Sequence, residues 1–265
     1  MNIKFIGTGS AFTMKNYQTN IMVQDNKQNL LIDAGSDIRW SLADENLSYK
    51  DINALYISHQ HADHIGGVEN LAFCNYFDPD CKEKIQLFGN SKLLRDSWKH
   101  SLKGGLESIQ GKVFTLDDYF DVSMIPDNGK FIWNDNVFEI VQSVHIMNGR
   151  SIVPTYGLMI TTKKKKIYIT SDSQFCPEQI TQFYNEADVI IQDCETYSFK
   201  SGVHANYEDL KTLSSKIKAK MYLVHWNDNI INDAASFGAI SKEWILKAEK
   251  DGFKMFVPKG FDLKI

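Results

Sequence analysis

The fold is decided by the stretch ISHQHADHIGG at residues 57–67, which follows a predicted strand and leads into a predicted helix. Imidazole nitrogens and carboxylate oxygens are ordinary ligands of divalent transition metals. His59 and His61 alternate as an extended segment allows and point the same way, whereas Asp63 and His64 lie past the bend and can face a second ion. The stretch therefore predicts a metal site with two positions, and its two final glycines permit tight backbone packing beside that site.

Length and composition around this stretch describe an ordinary folded protein. The chain has 265 residues, of which 43% are hydrophobic and 23% charged. A chain of this size can bury most of its core without disulfides, and its composition excludes collagen, coiled coil and intrinsic disorder. The net charge of −4 provides no basic field to gather nucleic acid, so we expect no stable nucleic-acid partner.

The apolar segments predict a protein without a membrane anchor. No stretch approaches 18 uninterrupted apolar residues, so no transmembrane helix is predicted and no membrane partner is expected. The chain enters a strand at Ile3 at once, which is unlike a signal peptide, and its four cysteines form no CxxC pair. We therefore expect a cytoplasmic protein, in the host cytoplasm if the protein is viral.

The rest of the chain predicts two series of short strands with helices between them. Without a Pro/Gly/Ser linker, this order favours one domain over residues 1–265, built as a sandwich of two sheets with helices outside. We expect the less periodic middle, residues 74–133, to be surface elaboration, apart from one strand and one helix. The predicted strands are residues 3–6, 20–23, 30–33, 54–58, 85–88, 137–141, 158–162, 167–170, 189–192 and 221–224. The predicted helices start near residue 36 and after residue 64, and cover residues 91–102, 177–184, 207–216 and 236–249.

The HxHxDH motif followed by Gly-Gly, after a strand and after an N-terminal Gly-Thr-Gly-Ser turn at residues 7–10, resembles the metallo-β-lactamase superfamily. The resemblance implies an αββα sandwich, with two mixed β-sheets and helices on the outer faces. It also implies a two-metal site that is closed by a lone His, a bridging Asp and a final His. His145, Asp172 and His225 occur in that order, each after a predicted strand. A lone His after a strand is unremarkable by itself, so their joint order supports the assignment.

Carried onto this sequence, the resemblance assigns every ligand of two divalent ions, with zinc expected and manganese possible. His59, His61 and His145 would hold the first ion, Asp63, His64 and His225 the second, and Asp172 would bridge both. Two such ions can each bind a phosphate oxygen and activate the water between them. Asp33 matches the family's buried Asp that orients the metal loop, although it also fits an ordinary turn carboxylate.

Two further segments are similar to the branch that includes the tRNA 3′-processing endonucleases (RNase Z) and related phosphodiesterases. They are Gly-Thr-Gly-Ser-Ala at residues 7–11 and Gly-Val-His-Ala-Asn-Tyr at residues 202–207. The branch implies that His204 protonates the leaving oxygen, a task that suits an imidazole with a pKa of about 6.5. The alternative is that His204 caps a helix beginning near residue 205. Asp193 could orient His204 or simply end a strand, and with Asp63 these two residues complete the candidate catalytic set.

The spacing of the candidate ligands bears on the substrate. Only 27 positions separate His145 from Asp172, which leaves no room for the basic arm with which bacterial tRNA enzymes of this branch grip tRNA. We interpret the four lysines at residues 163–166 as a solvated hairpin turn. Tyr156 and Tyr197 could stack on a base or belong to the core or rim.

Asp-Cys-Glu-Thr at residues 193–196 and Ser-Gly-Val-His at residues 201–204 resemble the phage anti-Pycsar phosphodiesterases. That family cleaves cyclic mononucleotides such as cyclic CMP and cyclic UMP and so disarms a bacterial antiviral signal. The resemblance implies a metal-dependent phosphodiester hydrolase with a small cyclic nucleotide substrate, and enzymes of this branch commonly form homodimers. The alternatives are an RNase Z-like tRNA endonuclease and a noncatalytic, metal-dependent nucleotide-binding protein.

Overall fold

The structure, a computed structural model, describes residues 1–232 and 237–265. Over these residues the strands are, in chain order, Asn2–Gly7 (β1), Asn20–Asp25 (β2), Gln28–Ile32 (β3), Ala54–Ile57 (β4), Ile85–Asn90 (β5), Ser108–Ile109 (β6), Lys112–Val113 (β7), Phe120–Ile125 (β8), Lys130–Trp133 (β9), Asn136–Met147 (β10), Ile152–Thr161 (β11), Lys166–Ile169 (β12), Val189–Asp193 (β13), Met221–Val224 (β14), Met255–Phe256 (β15) and Asp262–Lys264 (β16).

The helices lie between these strands. They are Ile38–Asp44 (α1), Ala62–Ile65 (α2), Val68–Phe77 (α3), Ser91–Ser97 (α4), Lys103–Leu106 (α5), Leu116–Tyr119 (α6), Pro177–Glu186 (α7), Tyr207–Leu210 (α8), Ser215–Lys218 (α9) and Lys242–Asp251 (α10). A wider π turn, Trp98–Leu102, joins α4 to α5, and single 3₁₀ turns cover Tyr49–Asp51 and Asp228–Ile230.

Two seven-stranded sheets of similar design form the body of the fold. The first has the order β16-β1-β2-β3-β4-β5-β8, and the second has the order β15-β14-β13-β12-β11-β10-β9. Each sheet is mixed, because β3, β4, β5 and β8 run parallel in the first and β12 to β15 run parallel in the second. The carboxyl ends of parallel strands meet at one edge of a sheet, which is where α/β proteins usually place their sites.

Alternate residues of the central strands face two different cores. Ile167 and Ile169 of β12 belong to the core that also contains Leu31 of the first sheet, whereas Tyr168 packs with Tyr184 of α7. This alternation follows from the two-residue period of a strand, and burial on both faces explains why these strands are apolar throughout. The expected sandwich of two sheets with helices is therefore confirmed.

Several boundaries differ from the sequence-based expectation. The strand expected at residues 137–141 continues to Met147, so His145 lies within β10 rather than after it. The helix expected at residues 207–216 is interrupted, because Ser214 has an extended backbone and starts α9. The helix expected at residues 236–249 begins at Lys242 instead: Ser236 lies outside the described residues, and Gly238 has a φ of +74°, which no α-helix contains.

The middle of the chain is also more than surface elaboration. It supplies β8 at one edge of the first sheet and β9 at one edge of the second. Three of the four lysines lie in the expected turn, because the turn between β11 and β12 covers residues 162–165, whereas Lys166 begins β12 and pairs with Glu186.

Candidate metal centre

Asp33 and all of the candidate ligands except His145 lie at the carboxyl ends of parallel strands from both sheets. Asp33 follows β3, the HxHxDH motif follows β4, Asp172 follows β12 and His225 follows β14. Asp33, Ser171 and His225 have φ values of 64°, 52° and 58°, a left-handed conformation that costs a non-glycine residue of order 1–3 kcal/mol. The chain therefore bends sharply as it leaves three of these strands, and the bends bring polar side chains together.

A bulge in β10 supplies the remaining His. The pairing of β10 with β11 shifts between Val144 and Ile146, which leaves His145 without a partner in the ladder. A bulge re-aims the extra residue. Gly67 allows the motif loop to pack closely against the segment that follows β3, because a Cβ at this position would lie 2.4 Å from the carbonyl oxygen of Gly35.

The first group of nitrogens converges on His61. His59 Nε2 and His145 Nε2 each lie 3.0 Å from His61 Nδ1. The ligand atoms of these three residues and of Asp172 all lie within 4.8 Å of one another. The structure thus brings together the three residues that the sequence analysis assigned to the first ion.

A second group forms around two carboxylates. Asp63 Oδ2 lies 3.1 Å from His64 Nε2 and 3.3 Å from His225 Nε2. Asp172 Oδ2 lies 3.3 Å from each of the same two nitrogens, and 3.7 Å from His59 Nε2 in the first group. One carboxylate oxygen of Asp172 therefore lies between the two groups.

The second nitrogen of four of these imidazoles faces an oxygen atom. The distances are 3.1 Å from His59 Nδ1 to Ser58 Oγ, 2.7 Å from His64 Nδ1 to Asp33 Oδ2, 2.9 Å from His145 Nδ1 to the Val203 carbonyl oxygen and 3.4 Å from His225 Nδ1 to Asp193 Oδ1. Metal-bound histidines are usually held in this way. The buried Nε2 of His64 lies beside two carboxylate oxygens without a well-aligned hydrogen bond to either, as expected of an atom that ligates an ion. The donor set therefore fits divalent metal ions.

Asp33 connects the motif loop to the end of β3. Its carboxylate accepts hydrogen bonds from the Ser58 backbone N–H at 2.8 Å and from Ser58 Oγ at 2.7 Å, in addition to facing His64. Ser171 Oγ in turn donates to Ser58 Oγ at 2.7 Å. Ser58 and Ser171 were missed by the sequence analysis, although each directly precedes a candidate ligand or motif.

Burial and charge act differently on the two groups. Burial, with the neighbouring His64, lowers the pKa of His59 well below its usual value, and burial also lowers the pKa of His145. These imidazoles are therefore neutral, which is the form that ligates metal. Burial also opposes the charged form of His64 and His225, but the carboxylates around them outweigh it and raise both pKa values. The carboxylates around His64 and His225 therefore favour a positive charge at this second group of ligands.

His204 lies beside the cluster and is held by Asp193. His204 Nδ1 donates to Asp193 Oδ2 at 2.9 Å, and the His204 ring stacks on His225 with centroids 4.7 Å apart. Asp193 ends β13 and also accepts from the Ser173 backbone N–H at 3.0 Å. Burial opposes the charged form of His204, but Asp193 outweighs it and raises the pKa of the ring.

His204 does not cap a helix. Asn206 caps α8 instead, because its side-chain oxygen accepts from the Glu208 backbone N–H at 3.1 Å.

Of the two tyrosines considered for base stacking, Tyr156 is buried in the core and Tyr197 is partly exposed. All four cysteines are free, and of these only Cys194 is buried.

A family model described as anti-Pycsar protein Apyc1 matches residues 1–245 of the chain. The chain belongs to the Apyc1 family. An Apyc1 protein of Paenibacillus xerothermodurans is 31% identical over 244 residues, which are 91% of this chain and 94% of that protein. An Apyc1 protein of Bacillus phage vB_BsuM-Goe3 is 30% identical over 238 residues, which are 86% of this chain and 90% of the phage protein.

Solved structures with the metallo-β-lactamase fold resemble this member of the Apyc1 family along its whole length. YhfI of Bacillus subtilis superposes with a TM-score of 0.74 at 18% identity, covering 99% of this chain and 98% of its own. The short form of human tRNase Z superposes with a TM-score of 0.70 at 17% identity, and the match covers 100% of this chain and 99% of the tRNase Z chain. At these identities the likeness shows the fold, which is the one the HxHxDH motif indicates.

Family membership and the His/Asp cluster together identify a metal-dependent hydrolase whose cluster binds divalent metal ions. In the described parts of this Apyc1-family chain, we find no helix with the length and apolar character that a membrane span requires.

Proposed function

We propose that the protein is a phosphodiesterase that hydrolyses cyclic nucleotides, such as cyclic CMP, cyclic UMP and other cyclic mononucleotides, to linear nucleotides. The observation that carries this proposal is the position of Asp172 Oδ2, which lies 3.3 Å from His64 Nε2 and from His225 Nε2 and within 4 Å of His204. A bridging carboxylate with an imidazole beside it is an arrangement suited to a phosphodiester. The anti-Pycsar name of the relatives supports a role against a host nucleotide signal, as a viral counter-defence enzyme.

The ligand roles follow the two groups in the cluster. His59, His61 and His145 would hold one ion, Asp63, His64 and His225 would hold the other, and Asp172 would contact both. We expect zinc, with manganese able to replace it, because imidazole and carboxylate ligands suit both ions. When bound, a pair of such ions lowers the pKa of water and stabilises charge on the phosphate. Asp63 acts as a ligand in this scheme, so the proton-transfer roles fall to His204 and Asp193.

His204 supplies the proton that the leaving oxygen needs. Water attacks phosphorus and releases one proton to solvent, the bond between phosphorus and one sugar oxygen breaks, and that oxygen leaves as a hydroxyl after taking the proton of His204. Asp193 accepts the hydrogen bond of His204 Nδ1, so Nε2 is the nitrogen that can carry the transferred proton. Asp193 positions the ring and favours its protonated form.

The structure of residues 145–172 favours a small substrate over a folded RNA. Between His145 and Asp172 the chain forms only the end of β10, β11, β12 and short turns. A protein without an extended basic arm, and with a net charge of −4, has little to hold a tRNA.

Incubation of the purified protein with cyclic and linear nucleotides tests this function. We expect cyclic mononucleotides to be converted to linear monophosphates, with the conversion abolished by a chelator and restored by zinc or manganese. Precursor tRNA serves as the rival substrate in the same assay. Cleavage of precursor tRNA without cleavage of cyclic nucleotides would favour the endonuclease, and binding of cyclic nucleotides without any product would favour a noncatalytic binding protein.

A further inference from the structure

A cavity of about 180 Å³ opens beside the candidate metal centre. Its wall includes His204 and His225, so a substrate whose phosphate lies at the candidate metal centre can extend past these rings into the cavity. The cavity is therefore continuous with the site where the proposed reaction takes place.

Three exposed aromatic side chains line this cavity. Phe12 is 92% exposed, Phe199 is 62% exposed and Tyr197 is 39% exposed. The rings of Tyr197 and Phe199 stack with centroids 5.2 Å apart and an interplanar angle of 13°. Aromatic rings held in water beside a reaction site are the platform on which nucleobases stack in many proteins.

The loops that carry these rings are fixed by hydrogen bonds. Asp228 accepts from the backbone N–H groups of Met14 at 2.7 Å and Lys15 at 3.2 Å, which anchors the loop after Phe12. Asn206 Nδ2 donates to the carbonyl oxygen of Tyr197 at 3.1 Å, which holds the loop that also carries Phe199. Preordered loops lose less conformational entropy when a ligand binds.

The charge of the cavity wall indicates which end of a nucleotide it accepts. Glu195 lines the cavity with its carboxylate, which accepts from the Ser201 backbone N–H at 3.1 Å and from Asn206 Nδ2 at 3.2 Å. Its negative charge disfavours a phosphate next to it, whereas the His204 and His225 rings of the same wall face Asp172 and the candidate metal centre. Asn227 is also engaged, because its side-chain oxygen accepts from the Thr196 backbone N–H at 2.8 Å. The neutral, flat end of a nucleotide suits a wall of this kind, and stacking is the interaction that the wall offers it.

From these observations we infer that the cavity is the nucleobase subsite, in which the base stacks on the aromatic side chains of Phe12, Tyr197 and Phe199. This inference rests on the proposed function and adds to it the residues that bind the base. Because a purine offers a larger ring surface than a pyrimidine, loss of an aromatic ring should weaken binding of cyclic AMP more than binding of cyclic CMP.

The test compares substrates with and without a base. The KM and kcat values of Phe12→Ala and Phe199→Ala are measured for cyclic AMP, cyclic CMP and the methyl riboside 3′,5′-cyclic phosphate, which has no base. We expect the ratio of the KM for cyclic AMP to the KM for the base-free substrate to rise roughly 5- to 100-fold, with a small change in kcat. Phe199→Trp should keep the ratio of the original protein.

Phe77→Ala is the matched control, because Phe77 is 60% exposed at the end of α3 and does not line the cavity. An unchanged KM ratio in both alanine variants, or a ratio that changes equally in Phe77→Ala, would overturn the subsite. A changed oligomeric state in place of a changed ratio, measured by sedimentation of the same samples, would also overturn it. If the original protein hydrolyses none of the three substrates, the proposed function fails and the subsite fails with it.

Discussion

Asp172 is the residue on which both halves of the candidate centre depend. Its Oδ2 atom faces nitrogens of both groups, so in the proposed two-metal site its removal would leave two cations facing each other without the charge between them. We expect Asp172→Ala to lower the metal content below two equivalents and to reduce hydrolysis by more than the roughly 10- to 100-fold that loss of an outer partner costs. Elemental analysis and the nucleotide assay measure the two effects.

The control for this substitution is Asp121→Ala, which removes an exposed carboxylate from β8. It should retain both the metal content and the rate of the original protein. Full activity in Asp172→Ala would show that the bridging role belongs to another residue.

His204 is expected to act on the leaving group and not on the metal ions. We therefore predict that His204→Ala retains the metal content and loses roughly 10²- to 10⁴-fold in rate, the range for a general acid. The loss should be smaller for a p-nitrophenyl phosphodiester, because p-nitrophenolate leaves without a proton. Equal losses on both substrates would make His204 a phosphate-positioning residue, and loss of metal would make it a ligand.

Among single residues, the sequence identifies the candidate metal ligands, because their pattern is rare in proteins that bind no metal. It misses residues such as Ser171, whose contacts form only when the chain folds. Three histidines and an aspartate within six positions are improbable without a metal, and the order of His145, Asp172 and His225 extends the pattern. Ser171 is different, because a serine in a turn is common and its contact with Ser58 exists only after the sheets pack. The exposed Phe12 and Phe199 also carry no periodic signal.

At the scale of elements, Gly157 is the point where β11 passes closest to the end of β12. A Cβ at this position would lie 2.5 Å from the carbonyl oxygen of Ile169 and 2.7 Å from that of Thr170, both of which are backbone atoms. We predict that Gly157→Ala pushes the two strands apart and lowers the free energy of unfolding by about 1–3 kcal/mol. Thermal denaturation measures this loss.

Gly104 in α5 provides the comparison, since a Cβ there meets no atom within 4 Å. Alanine in that helix should be neutral or stabilise the protein by up to about 1 kcal/mol. If both variants unfold at the same temperature as the original protein, the close approach at Gly157 has no energetic consequence.

Strands are predicted correctly where all of their residues are buried, and they are missed where burial varies along the strand. β4 and β14 are buried along their whole length, and an apolar run of four residues marks each of them. β8 and β9 lie at sheet edges and are partly exposed. Asp121 and Ser123 interrupt the apolar pattern of β8, and β9 has only three apolar residues in a row, of which Ile132 is exposed. The sequence underestimates the length of β10 because Gln142 and Ser143 end the apolar run before the strand itself ends, and the bulge at His145 then breaks the alternation of its last residues.

At the scale of the whole molecule, we propose that residues 1–265 form a single domain, because residues from both sheets share one core. Because this core contains residues of both sheets, we expect the two sheets of the metal-free protein to unfold together. Circular dichroism and tryptophan fluorescence should therefore report the same midpoint. Two separate midpoints would instead indicate that the two sheets unfold independently.

The homodimer implied by the resemblance stays a prediction. Sedimentation at micromolar concentration should give twice the mass of one chain. A monomer under those conditions would contradict it, and the proposed catalytic set would then have to be complete within one chain.

The candidate ligands are divided between the sheets: four follow β4 in the first sheet, and His145, Asp172 and His225 belong to the second. An ion held by both sets would fasten the two halves of the protein together, and it would add about 2.7 kcal/mol to stability when its free concentration exceeds its Kd 100-fold. In a cell short of metal, the same chain would open more often and reach proteases sooner. Metal supply would then govern how long each molecule persists as well as how fast it turns over substrate.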